Sequence, residues 1–442
     1  MILKGISHKI AMFSVILTWS FVILCVKFSI NVEPSSSITV ETVEGGQAKR
    51  EVELETTIAI QKVKNMTLNK RSNAAPLKPQ QYLKFIEISE TFRKAISREG
   101  GYWNRKQHNL FLELDSMVRP EGNESEWKEP DERLCNGTSS EVFQVNIQDF
   151  TSYSPLLQDF LRTMHCKDPP ILIDQPNKCP WMEGERQPFL LFALKSSPQN
   201  FEQRQAVRET WGQEGTHDSG LEVRTVFLLG TFPAGVPDLQ ELVRFEALHY
   251  GDILQWDFTD SFYNLTLKEN AFLGWAQQRC PSVSFIFKGD DDVFVNQGAM
   301  LDFLRSLTPE ETKSLYTGQV VTDASPIRQS KSKYYIPRSF YDGPYPPYAG
   351  GGGYLFSGSL VSPLLQVSKH IVHYPIDDVY TGMCFQALNI SPILHSGFMT
   401  FDIKVNDRKN VCVHKNLLLV HQRSPQEILW LWRQMHSPLL TC

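Results

Sequence analysis

FLLFALKSSPQNFEQRQAVRETWGQEGTHDSGLEVRTVFLLG, residues 189–230, carries the fold. Phe189 to Leu194 is an unbroken apolar run of strand length. Residues 201–211 place their apolar groups at helical spacing, and Arg224 to Gly230 forms a second apolar run. Strand, helix and strand in succession build a mostly parallel sheet. Downstream, 267–278 has helical spacing and FIF (285–287) supplies a third strand. Thr308-Pro309-Glu310-Glu311 and Ser424-Pro425-Gln426-Glu427 each combine a capping hydroxyl, a first-turn Pro and a capping-box Glu, so both predict helix starts. The expected fold class is α/β.

Outward from this core, the composition narrows the function. The 442 residues are 41% apolar, enough for a sizeable core, and the net charge of −5 comes without a basic run, which excludes a phosphate-backbone binder and so nucleic acid as a partner. Residues 10–26 carry no charged side chain and lie between Lys9 and Lys27, a length that just spans a bilayer. No small-residue cleavage site follows, so the reading is an uncleaved anchor with Lys4 and Lys9 on the cytosolic side. The expected organisation is a cytoplasmic tail over 1–9, a transmembrane signal anchor over 10–27, a stem over 28–100, a lead-in region over 101–185 packed on the main domain, and that domain over 186–442. Asn-x-Ser/Thr acceptors occur at Asn65, Asn123, Asn136, Asn264 and Asn389, of which the first three are taken as glycosylation sites. Beyond Cys25 in the anchor seven cysteines remain, which suits disulfides in an oxidising compartment and predicts one thiol that is free or paired between chains.

Four stretches carry chemistry. In Lys288-Gly289-Asp290-Asp291-Asp292-Val293-Phe294-Val295-Asn296, three carboxylates follow a buried strand, at the edge where α/β sheets bind ligands. Extended backbone sends Asp290 and Asp292 to one side and Asp291 to the other, and hard oxygen donors suit Mn²⁺ or Mg²⁺. A solvated acidic turn or a calcium site is the plainer reading. Arg204, Arg208 and Trp211 share a helix face by i, i+4, i+7 spacing, offering cations and a ring to a nucleotide, or else forming a salt-bridged surface. Tyr345-Pro346-Pro347-Tyr348 followed by Gly350 to Gly353 lets backbone approach a ligand while the aromatics stack on a sugar. Asp377 and Asp378 form a second acidic pair, separate from the first. A general base must not be a metal ligand, so two acidic groups with distinct duties suit metal-assisted transfer to a hydroxyl.

Together, RQAVRETWG, FLLG, DFTDSFYNLTLK (257–268), FKGDDDVFVN, YPPYAGGGG and DDVYTG resemble the β-1,3-glycosyltransferase family of the Golgi, over about residue 177 to the C-terminus. YYIPRSFY (334–341) and YPIDDVYTGMC resemble its β-1,3-N-acetylglucosaminyltransferase branch. The resemblance implies a glycosyltransferase-A fold, a Rossmann-like domain with a mixed, mostly parallel sheet, Mn²⁺ (Mg²⁺ as alternative) and a UDP-GlcNAc donor. It assigns Arg204, Arg208, Lys288, Asp290 and Asp291 to the donor, and Asp292, Asp290 and His421 to the metal. It gives Asp377, Tyr348, Gly351 and Gly352 to the acceptor and makes Asp378 the catalytic base. The implied enzyme is an inverting transferase in the Golgi membrane, single-pass with its catalytic domain in the lumen, that adds GlcNAc to the 3-hydroxyl of terminal galactose and extends poly-N-acetyllactosamine. A homodimer or a complex with related transferases is left open. The alternatives are a β-1,3-galactosyltransferase using UDP-Gal, a luminal lectin and a nucleotide-sugar hydrolase.

Overall fold

Phe189–Lys195 is buried along its whole length, which only the centre of a sheet covered on both faces allows. In the computed structural model, which describes residues 87–117, 138–179, 188–217 and 220–442, this strand is flanked on both sides. The strands are β1 (Ile171–Ile173), β2 (Phe189–Lys195), β3 (Gly215–Thr216), β4 (Glu222–Thr231), β5 (Ile253–Thr259), β6 (Phe285–Asp290), β7 (Phe294–Val295), β8 (Tyr316–Val321), β9 (Tyr348–Ser357), β10 (Ile393–Leu394), β11 (Phe398–Met399) and β12 (Leu419–Val420). The main sheet runs β1-β5-β4-β2-β6-β9-β8-β10, with β3 paired to β4. Its central strands β5, β4, β2 and β6 are parallel, and β9 enters antiparallel to both β6 and β8. The sheet is therefore mixed around a parallel centre.

The helices expected from spacing are present at Phe201–Arg208 and Leu265–Arg279, and both capping boxes form, at Thr308 and Ser424. The first helix stops at Arg208, three residues short of the expected Trp211.

β2 and β6 lie side by side in register, with Lys195 opposite Asp290, so both strands end at one edge of the sheet. Beyond β6 the chain turns into β7, which pairs antiparallel with β12, Val295 facing Leu419 and Phe294 facing Val420. That register carries the residue after β12, His421, back to the aspartates more than a hundred positions earlier.

The folded unit also reaches further toward the N-terminus than residue 101. Ile88, Phe92 and Ile96, spaced by four, are buried, and Ser89 binds the carbonyls of Ala387 and Gln386 through its amide and hydroxyl. Residues 87–100 thus pack on the domain, where the sequence reading placed stem. In the helix Tyr102–Met117, Trp103 is fully buried, donates its indole N–H to the carbonyls of Val372 and His373 (3.0 and 3.1 Å) and packs edge-on against Tyr341 and Tyr374. Gly101 lets that helix in: a Cβ there would lie 2.2 Å from the backbone of Phe340.

Disulfides join Cys179 to Cys280 and Cys412 to Cys442, Cys166 is also disulfide-bonded, and the free cysteine among the described residues is buried Cys384. Among the described residues no helix is long and apolar enough to cross a membrane. The expected tail, anchor and most of the stem lie outside those residues, as do Asn65, Asn123 and Asn136.

Candidate active site

At the carboxyl edge of β2 and β6 opens a cleft of about 490 Å³ that brings together Lys195, the aspartates 290–292, Gly351, Gly352, Asp377, Asp378 and His421. Its hub is Lys195. The buried ammonium sits 2.7 Å from Asp377, 3.1 Å from Asp290 and 3.0 Å from the carbonyl of Gly351. Burial opposes its charge, but Asp290, Asp377 and Glu269 outweigh that and hold its pKa well above the usual lysine range. One cation therefore ties the first acidic cluster to the second.

On one side of Lys195, Asp290, Asp292 and His421 each point a ligand atom at one spot, all within 4.8 Å of one another. His421 Nδ1 donates to the carbonyl of Thr400 (2.8 Å), so Nε2 is turned toward Asp292 (3.0 Å) and Asp290 (3.4 Å). Two carboxylates and one imidazole with an open side fit a divalent cation that keeps room for substrate oxygens. Asp291 faces the other way, accepts a bond from Asn200 (3.0 Å), and is pushed up to about 6 by burial, with the charges of Asp292 and Asp290 adding to the rise.

On the other side, Asp378 stands in the first turn of the helix Asp377–Ala387. Its carboxylate accepts from the amides of Gly351 (3.1 Å) and Val379 (2.8 Å). Burial and the neighbouring charge of Asp377 push it up to about 7, against the pull of Lys195 and those amides. A carboxylate poised near neutrality, off the metal cluster, is what a general base requires. Asp377 is spent on Lys195.

Glycine makes the site compact. A Cβ on Gly352 would lie 2.8 Å from the His421 ring, and one on Gly351 would lie 3.3 Å from Asp378. The four-glycine run is therefore a close backbone approach.

Three donor assignments are corrected. Arg204 is fully buried: its guanidinium forks onto Glu246 (2.8 and 2.7 Å) and binds the Ser196 hydroxyl and the carbonyls of Ser197 and Pro198. It positions the loop after β2 and leaves no N–H for a nucleotide. Arg208 is engaged by Glu246 and Asp252, with Tyr250 beneath it. Trp211, expected on the same ligand face, packs between Phe192 and Phe287 in the core. Lys288 shares a face with Asp290 but lies two residues deeper, paired with Glu269 (3.1 Å) over the ring of Phe272, and burial lowers it to about 8. Tyr348, given to the acceptor, rests its Cβ on Gly382 and lies near enough to Asp378 that, beside burial, that carboxylate raises its pKa. Arg204→Lys, which keeps the charge but loses the fork, is expected to lower stability by about 1–3 kcal/mol, measured by urea unfolding.

Residues 202–395 match the Galactosyltransferase family. The chain is 43% identical over 80% of its length to mouse N-acetyllactosaminide beta-1,3-N-acetylglucosaminyltransferase 2, covering 89% of that protein. It is also 43% identical over 65% of its length to mouse acetylgalactosaminyl-O-glycosyl-glycoprotein beta-1,3-N-acetylglucosaminyltransferase, covering 74% of it. Among solved structures, mouse xyloside xylosyltransferase 1 overlaps 54% of the chain and 98% of its own at 11% identity, with a TM-score of 0.26. At such identities over 89% and 74% of these relatives, and with the acidic cleft in place, the chain belongs to the β-1,3-N-acetylglucosaminyltransferases of the Galactosyltransferase family.

Proposed function

We propose that this chain is an inverting, metal-dependent transferase of the glycosyltransferase-A type that moves GlcNAc from UDP-GlcNAc to the 3-hydroxyl of a terminal β-galactose, extending poly-N-acetyllactosamine. The observation that carries it is the Lys195 ammonium held between Asp290 of the metal cluster and Asp377 of the base-bearing helix. It supports a reading in which the leaving-group end and the attacking end of one reaction share a single cleft.

Asp378 takes the proton of the acceptor hydroxyl as that oxygen attacks C1 of the sugar from the face opposite UDP. The C1–oxygen bond to the diphosphate breaks as the new one forms. A single displacement turns the α-linked donor into a β-linked product and needs no covalent enzyme residue. Mn²⁺, or Mg²⁺ in its place, held by Asp290, Asp292 and His421, would neutralise charge on the departing diphosphate. Arg204 acts only at a distance, by setting the Ser196–Pro198 loop at the cleft wall. Gly351 places its amide on Asp378 and its carbonyl on Lys195, which aligns the base with the acidic pair.

The same reading places the domain in the Golgi lumen behind a single N-terminal anchor. The disulfides support an oxidising compartment, and residues 10–27 have the composition of the anchor.

The test is transfer from UDP-GlcNAc and UDP-Gal to N-acetyllactosamine with linkage analysis of the product. A β-1,3-linked GlcNAc product that disappears with a chelator and returns with Mn²⁺ is the expected result; transfer of galactose alone, or full activity without metal, overturns the reading. Gly352→Ala, which drives a methyl into the His421 ring, is expected to weaken Mn²⁺ about 10–100-fold, read as the Mn²⁺ concentration for half-maximal transfer.

A further inference from the structure

Three aromatic side chains line the cleft: Phe262, Tyr334 and Phe401. The first two belong together. Phe262 lies just beyond β5, after Asp260 and Ser261, meets Tyr334 edge-on (5.3 Å), and both rings carry the Lys333 ammonium at 5.3 and 4.8 Å. This pair stands against the segment that leads into the base-bearing helix, since Thr266, four residues after Phe262, donates its hydroxyl to the carbonyl of Tyr374.

Phe401 stands apart, on the turn after β11 and against Gly350 of β9. It is 62% exposed, a large apolar surface left in water at the mouth of a polar site. Gly350 beside it keeps the approach open, since a Cβ there would lie 3.3 Å from the Phe401 ring and 2.6 Å from the Thr400 hydroxyl. The next residue, Gly351, donates its amide to Asp378.

The backbone that presents this ring is held from several directions. Gln319 Oε1 accepts from the amides of Thr400 and Phe401 and from the Thr400 hydroxyl. Asp402 adopts φ of +69°, a left-handed conformation that a non-glycine residue keeps only when its surroundings enforce it. Here Arg408 and the buried Arg423 grip its carboxylate, and the Arg423 amide donates to the carbonyl of Asp292 (2.7 Å). The turn carrying Phe401 is thus bolted to the metal loop on one side and meets, on the other, Gly350, the neighbour of the glycine that donates to Asp378. Such anchoring spends strain to hold an exposed aromatic still.

We propose that Phe401 is the stacking platform for the terminal sugar of the acceptor. This inference rests on the transfer reading above and names the recognition element within that site. The chemistry points to galactose in particular. Its axial 4-hydroxyl leaves the hydrogens of C3, C4 and C5 on one face, a continuous apolar patch, while the equatorial 3-hydroxyl stays at the ring edge. A ring laid on Phe401 by that patch offers its 3-hydroxyl toward Asp378; in glucose the 4-hydroxyl is equatorial and the patch is broken.

The test uses the full-length chain with Phe401→Ala and Phe401→Trp. In transfer assays Phe401→Ala is expected to raise KM for N-acetyllactosamine about 10-fold, leave KM for UDP-GlcNAc within about twofold, and be rescued by Phe401→Trp. In saturation-transfer NMR with N-acetyllactosamine and UDP present, the galactose H3 to H5 signals are expected in the wild type, absent in Phe401→Ala and restored in Phe401→Trp. Unchanged acceptor KM, a loss falling on UDP-GlcNAc instead, or undiminished galactose signals in Phe401→Ala overturns the proposal while the transfer reading stands. A wild-type chain that gives the galactose signals at Phe401 yet transfers no GlcNAc overturns the transfer reading alone.

Discussion

Asp378→Asn is expected to cut kcat by ~10²–10⁴-fold, the range a positioned general base supplies, with the fold intact. The native rate should fall as pH drops through about 7, because protonated Asp378 cannot take the acceptor proton. Stability should run the other way. A carboxyl whose pKa rises from 3.8 to about 7 on folding binds its proton more tightly in the folded chain. Its stabilising contribution is full below 3.8 and is lost as pH rises through about 7. The amide removes that loss along with one of two adjacent acids. Asp378→Asn should therefore melt higher than the wild type above neutrality while transferring far more slowly. Kinetics over pH 5–9 beside thermal unfolding at the same pH values checks both halves; a variant with native kcat, or one that merely unfolds, removes Asp378 from the role.

Lys195→Met is expected to be nearly as damaging and to do so differently. Removing one partner of a buried ionic cluster leaves Asp377 and Asp290 without their shared counter-charge, which costs about 3–5 kcal/mol. The same ammonium helps to lower Asp378, so its loss should shift the acid limb of the pH–rate profile to higher pH. That displacement is the diagnostic reading, since a purely structural residue would lower activity without moving the limb. Urea unfolding gives the first quantity and the pH profile the second; an unmoved limb would confine Lys195 to holding the scaffold.

The parts of the site legible in the sequence were those whose partners are close in the chain. Asp290 and Asp292 fall together and Asp291 apart, as alternation predicts, although the strand ends at Asp290 and a turn through Asp291 and Asp292 makes the arrangement. Asp378 was separable from the metal group because it sits in its own acidic pair. The misassigned residues have distant partners. Helical spacing placed Arg204 and Arg208 on one face, but Glu246 and Asp252, brought in by the chain around β5, decide what that face meets. Lys288 has the parity of Asp290, yet strand periodicity says nothing about depth, and Glu269 on the helix above claims it. Lys195 closes an apolar run with no motif around it, and only its register opposite Asp290 reveals its place. Phe401 had no local signal at all: its meaning comes from exposure, and exposure belongs to the folded surface.

The helix Tyr102–Met117 determines where the chain can be cut. Trp103 holds the Val372–His373 carbonyls and the Tyr374 ring just ahead of the helix that aims Asp378. A chain truncated upstream of residue 87 would keep this wedge in place. Removing the segment that bears Trp103 would open a hole under Tyr374 and slacken the helix that carries Asp378, so a truncated form that keeps every motif residue but begins after that segment should be inert.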